Sequence, residues 1–154
     1  MAEVRFYHLT GRRLEDALPP MLEKCLERGW RALVLGTDAA RLEALDRHLW
    51  TWRADSFLAH GRAGGPHDAA QPILLATELL RTNRPDTLFL IDGAEATGDT
   101  LSGVATAAIL FDGADPAAVE RARADWGAVT AGGHRAIYWA ETEAGGWAKK
   151  AESG

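Results

Sequence analysis

Two carboxylates stand where chemistry could be done. Asp92 follows the apolar run Thr87–Ile91, Asp112 follows Ala107–Phe111, and each is succeeded by glycine. Acidic side chains at the ends of neighbouring strands could hold a divalent metal for phosphoryl chemistry, as in a metal-dependent nuclease or nucleotidyl enzyme. The same Asp-Gly pairs are also ordinary turn residues, and no lysine or histidine stands close by in sequence to complete a reaction centre. The turn reading is therefore the stronger of the two. His8, His48, His60, His67 and His134 lack metal-ligand spacing, and no serine or cysteine has a base and an orienting acid around it. There is no G-x-x-x-x-G-K-[ST] and no G-x-G-x-x-G between a strand and a helix. The lone glycine of Gly36-Thr37-Asp38 cannot cradle a triphosphate. The expectation is a chain with no catalytic residue, no metal and no cofactor.

A different chemistry is offered by Val119, Arg123 and Trp126, spaced i, i+4 and i+7 so that a guanidinium lies along an aliphatic and aromatic stripe. Such an arginine can simply snorkel to water. It can equally bind an anion that adjoins an apolar group, and the C-terminal carboxylate of a peptide ending in a bulky residue is both. Trp50, Trp52 and Phe57 cluster where a helix enters a glycine-rich loop. They either cap the core beneath that loop or anchor a protein partner, since Trp and Phe anchors dominate interface energetics.

The elements that must position these residues follow from periodicity. Val4–Leu9 alternates like a strand. Leu14, Ala17, Leu18, Met21, Leu22, Cys25 and Leu26 recur on one helical face, with Pro19-Pro20 marking a first turn or a kink. Arg31–Gly36 is a nearly continuous apolar run, the mark of a strand covered on both sides. Leu42, Leu45 and Leu49 stripe a second helix capped by Thr37 or Asp38, with Glu43 and Arg47 paired outside. Residues 51–70 lose periodicity, and Gly61, Gly64, Gly65 and Pro66 make them a long loop. Pro72–Ala76 and Thr87–Ile91 read as strands joined by a turn at Arg81–Pro85 and able to run antiparallel; Ala107–Phe111 is another strand. Asp115, Pro116 and Gly132-Gly133 punctuate the last helix, and Arg135–Trp139 is a final strand. Strands alternating with helices predict a doubly wound three-layer α/β fold with a mostly parallel sheet and helices on both faces. Residues 1–140 form this single domain and 141–154 a polar C-terminal tail.

At 154 residues, 47% apolar and 25% charged, the chain has the size and balance of one soluble domain. It contains no stretch of about 20 apolar residues and its first residues lack a signal-type pattern, so a cytoplasmic protein without a membrane partner is expected. Cys25 reads as a buried, inert thiol. A net charge of -5 disfavours direct nucleic-acid binding, which needs cations to neutralise phosphates. Residues 121–150 nevertheless carry Arg121, Arg123, Arg135, Lys149 and Lys150 against Asp125, Glu141 and Glu143, enough to meet an acidic partner.

Several segments, taken in order, carry a family resemblance. Val4–Leu9, Leu42-Glu43-Ala44-Leu45-Asp46-Arg47-His48-Leu49-Trp50, Asp55–Gly61, Pro72–Leu75 and Ala122-Arg123-Ala124-Asp125-Trp126 before Gly133-His134 together resemble the DNA polymerase III chi subunit. The resemblance implies a Rossmann-like domain of the clamp-loader assembly, without enzymatic activity. Such a domain links the replicase to the C-terminal tail of single-stranded-DNA-binding protein and meets DNA only indirectly. By position it assigns Arg123 to the tail's terminal carboxylate and Trp126 to the aromatic lining of that pocket. Val119 falls where many relatives carry lysine, which removes one cation. Trp50 and Phe57 match an aromatic pair on a separate surface that serves the psi subunit or a helicase partner, and Trp52 is an addition.

Overall fold

The computed structural model describes residues 2–53 and 58–154. Eight strands form one sheet: β1 (Glu3–Leu9), β2 (Ala32–Leu35), β3 (His60–Arg62), β4 (Ile73–Ala76), β5 (Thr87–Leu90), β6 (Thr106–Asp112), β7 (Arg135–Glu141) and β8 (Trp147–Ser153). The helices are α1 (Leu14–Glu27), α2 (Ala39–Thr51), α3 (Gly98–Leu101) and α4 (Pro116–Ala131). Strand order is β3-β4-β2-β5-β6-β1-β7-β8, parallel throughout except for β8, which runs antiparallel to β7. The mixed α/β class and the mostly parallel sheet agree with the sequence.

Every residue of β2, β4 and β5 is buried, as strands covered on both faces require. Successive residues along them alternate between two apolar clusters. Leu33, Leu74, Leu88 and Ile109 join Ala118, Ala122 and Val129 of α4. Val34, Leu75 and Phe89 join Leu18 and Leu22 of α1 and Leu45 of α2. Cys25 belongs to the second cluster, and burial pushes its thiol up to about 11.

Three features differ from the sequence expectation. Pro19 and Pro20 lie inside α1, one turn and more beyond its start, rather than at its first turn. Pro19 has no N–H to give the Glu15 carbonyl, and His48 Nε2 of α2 donates to that oxygen instead, at 2.8 Å. The tertiary contact replaces the missing helical bond and ties α2 to α1.

The second difference concerns β4 and β5. They are not an antiparallel pair: β2 lies between them, parallel to both. The turn expected at Arg81–Pro85 is present, with Arg84 N donating to Arg81 O at 2.9 Å, but it belongs to a crossover, and buried Asn83 donates from Nδ2 to Ala32 O at 3.1 Å and Gln71 O at 3.0 Å. It thereby stitches the crossover to the starts of β2 and β4.

Third, strands occur where none were expected. β3 lies within the stretch read as loop, and Asp68 closes the adjacent turn by accepting from the amides of Gly64 at 2.9 Å and Gly65 at 3.0 Å. β8 lies within the stretch read as a polar tail. Trp147 anchors it edge-on to Tyr7 with ring centres 5.1 Å apart, and Glu152 binds Arg135 and Lys149 at 2.8 and 3.2 Å.

The last helix forms as its punctuation predicts. Asp115 accepts from Ala117 N at 3.0 Å, Pro116 opens the helix and Gly133 takes φ +81° beyond its end. No helix of the described residues is long and apolar enough to cross a membrane.

Candidate functional site

α4 buries Ala118, Ala122 and Val129 against the sheet, so the neighbouring stripe of Val119, Arg123 and Trp126 lies along the edge of that contact. There it lines a cavity of about 500 Å³ together with Ala122, His8 of β1, Tyr138 of β7, and Lys150 and Ala151 of β8. All three residues singled out on the helix are thus brought to one place. Trp126 packs on Phe6 at 5.2 Å and on Tyr138 at 6.2 Å between ring centres. Tyr138 and His8 complete the aromatic floor, with the hydroxyl 2.6 Å from His8 Nδ1. The phenol donates when the imidazole carries its proton on Nε2. Burial pushes the Tyr138 phenol up, while the charge of Arg123 acts in the opposite direction. Arg123 itself is exposed and forms no ion pair among the described residues. A cation with no ion pair among the described residues, opening onto an apolar hollow, can take an anion joined to an apolar group.

Helical spacing found one wall of this cavity. The other wall, His8, Tyr138, Lys150 and Ala151, went unnoticed in the sequence, although the alternation of Phe6 with His8 and the Lys149-Lys150 doublet after Trp147 were weak signals of it.

A second cavity, of about 520 Å³ and more polar, lies at the carboxyl ends of β1, β5 and β6. Asp92 and Asp112 both line it, with Glu15, Arg41, Arg121 and Asp125. The two aspartates are therefore gathered, but as turn and ion-pair residues. Asp92 has φ +52° in a turn closed by Ala94 N donating to Ile91 O at 3.1 Å, and its carboxylate meets Arg41 at 3.2 Å. Arg41 also reaches Glu15 at 2.5 Å. Asp112 accepts from Ala114 N at 2.9 Å. Burial raises the Asp125 carboxyl above its ordinary range. No group of three or more His, Cys, Asp or Glu among the described residues could hold a metal ion.

The aromatic group at the end of α2 is divided. Trp50 is 50% exposed and packs, tilted, on His60 with ring centres 4.3 Å apart, and the His60 ring nitrogens face Leu58 O at 2.6 Å and the Asp46 carboxylate at 3.0 Å. Trp52 packs partly buried on the α1 and α2 cluster under the Arg53 guanidinium, 4.8 Å from the ring centre. Phe57 lies outside the described residues. Since half of Trp50 is already in water, Trp50→Ala should shift the thermal midpoint by no more than about 2 °C. A fall well beyond that, measured by circular dichroism, would mean that the ring serves the fold rather than a surface.

These features define a class: an α/β domain with an eight-stranded, mostly parallel sheet and an apolar, cation-rimmed cavity beside its last helix. Comparison with known proteins makes it specific, for the chain belongs to the DNA polymerase III chi subunit family. The model of that family, described as "DNA polymerase III chi subunit, HolC", matches residues 1–136. The chain is also similar to the "Probable DNA polymerase III subunit chi" of Rickettsia prowazekii (strain Madrid E), with 31% identity over 91 residues, 59% of this chain and 55% of that protein. The match spans little more than half the length of that relative. The matched family is one of DNA polymerase III subunits.

Proposed function

We propose that this chain is a non-catalytic adaptor of the replicase that holds the acidic C-terminal tail of single-stranded-DNA-binding protein in the cavity beside α4. Arg123 takes the terminal carboxylate, while Trp126, Val119 and Tyr138 pack around the last apolar side chain. DNA is reached only through that partner. The half-exposed Trp50, with Trp52 and Phe57, serves a second surface for a psi-type clamp-loader subunit or a helicase partner. The two apolar clusters, each served by different helices, support a Rossmann-like three-layer domain, and the replication role accords with a cytoplasmic setting.

The observation that carries this reading is Arg123, exposed and without an ion pair among the described residues, at the rim of an apolar cavity. A charge-assisted bond to a carboxylate is strong in such surroundings, and a chain end after a bulky residue offers a carboxylate on the same residue as the apolar side chain.

The test is calorimetric titration with an acidic peptide ending in a bulky apolar residue, supplied as the free acid and as the C-terminal amide. The free acid should bind, the amide about ten-fold or more weakly, and added salt should weaken both. Failure of the free acid to bind would remove the adaptor reading.

A further inference from the structure

Two consecutive residues of β8, Lys150 and Ala151, line the same cavity. In a regular strand successive side chains point to opposite faces, so neighbours cannot both do this. The register supplies the reason. Tyr138 pairs with Ala151 and Trp139 with Lys149, which leaves Lys150 unpaired as the extra residue of a β-bulge. A bulge bends its strand and re-aims a side chain.

The other charges of this edge are occupied. Lys149 binds Glu152 at 3.2 Å, and Arg135 binds both Glu152 at 2.8 Å and Glu3 at 3.3 Å. Lys150 forms no ion pair among the described residues, so β8 presents an available cation to the cavity that Arg123 rims from α4.

We propose that Lys150, turned inward by the bulge, is the second cation of this cavity and recognises acidic side chains that precede the terminal apolar residue of the bound peptide. The assignment rests on the tail-binding reading above. It divides the work by chemistry. A planar guanidinium fork matches a terminal carboxylate, whereas a point charge on a flexible stem suits acidic side chains of varying position. Lys150 stands on a strand beyond the residues that the family model matches.

Lysines and bulges on edge strands also serve to discourage pairing with another sheet. That role predicts a different outcome: Lys150→Ala would leave peptide binding intact and promote self-association.

The experiment compares the full chain with Lys150→Ala, Lys150→Arg and Lys149→Ala, titrated with the free-acid peptide at low and moderate salt. Folding is checked by circular dichroism and oligomeric state by light scattering. Lys150→Ala should bind about five-fold more weakly and lose part of the salt dependence. Lys150→Arg should bind like the parent, and Lys149→Ala should stay within about two-fold of it. A peptide with its acidic side chains replaced by amides should weaken binding to the parent but add little to Lys150→Ala, while C-terminal amidation should still weaken binding to that variant. Equal affinity of Lys150→Ala and the parent would overturn the assignment while leaving the tail-binding reading intact. Absence of binding by the parent would overturn both.

Discussion

Replacing Arg123 by alanine is expected to weaken binding of the free-acid peptide by roughly 30-fold or more, the range of an interface hot spot. The thermal midpoint should stay within about 2 °C of the parent, because the side chain is exposed and outside both apolar clusters. The size of the effect follows from what is left behind. Without the guanidinium, a terminal carboxylate would be held beside Trp126, Val119 and Tyr138 with its charge poorly compensated, and truncating one partner of a desolvated charge pair costs far more than losing a surface contact. Arg123→Lys should fall between the two, retaining charge but losing the bidentate fork. Tyr138 gives an internal check. The arginine charge favours phenolate, so its removal should move the phenol higher still, visible as a shift in the alkaline ultraviolet titration. Arg123→Ala binding as well as the parent would detach this residue from the site.

The sequence revealed α4 and the stripe of Val119, Arg123 and Trp126 because every signal there is local: a capping aspartate, a proline at the first position, glycines past the end, and a seven-residue spacing. It concealed what depends on neighbours brought from afar. Pro19 and Pro20 suggest a first turn or a kink, and nothing local shows that His48 answers the Glu15 carbonyl. β3 is three residues long and contains Gly61, too short for any period to show. β8 is polar on its outer side and its period of two is broken at Lys150, so it reads as tail. The cavity illustrates the same limit. α4 contributes Val119, Arg123 and Trp126 by helical geometry, but His8, Tyr138 and Lys150 meet them only because β1, β7 and β8 are adjacent in the sheet. The basic stretch between 121 and 150 separates in the same way. Arg121 lies beside Gly93 at the polar cavity, Arg135 and Lys149 are paired with acids, and Arg123 and Lys150 remain for a partner.

A methyl group at Gly113 should be strongly disruptive. Its Cβ would lie 1.9 Å from His8 Nε2 and 2.8 Å from Leu9 O, both inside contact distance. Neither neighbour yields easily. The Leu9 carbonyl is fixed by the Gly113 amide, which donates to it at 2.7 Å where β1 and β6 end together. His8 is held by Tyr138 at 2.6 Å and packs against Phe111 with ring centres 5.2 Å apart. Overpacking of this kind costs about 1–3 kcal/mol, and displacing His8 forfeits a hydrogen bond worth about 1 kcal/mol. Gly113→Ala should therefore lower the thermal midpoint by about 10 °C. It should weaken peptide binding as well, since His8 and Tyr138 form the floor of the cavity. Removing the obstructing ring distinguishes the two consequences. In the double variant His8→Ala, Gly113→Ala much of the stability should return, with the Leu9 carbonyl contact leaving a residual deficit, whereas binding should stay weak because the floor is still incomplete. Such non-additivity in stability without recovery of binding would place His8 between the fold and the site; a Gly113→Ala protein that melts with the parent would refute the close approach of β6 to His8.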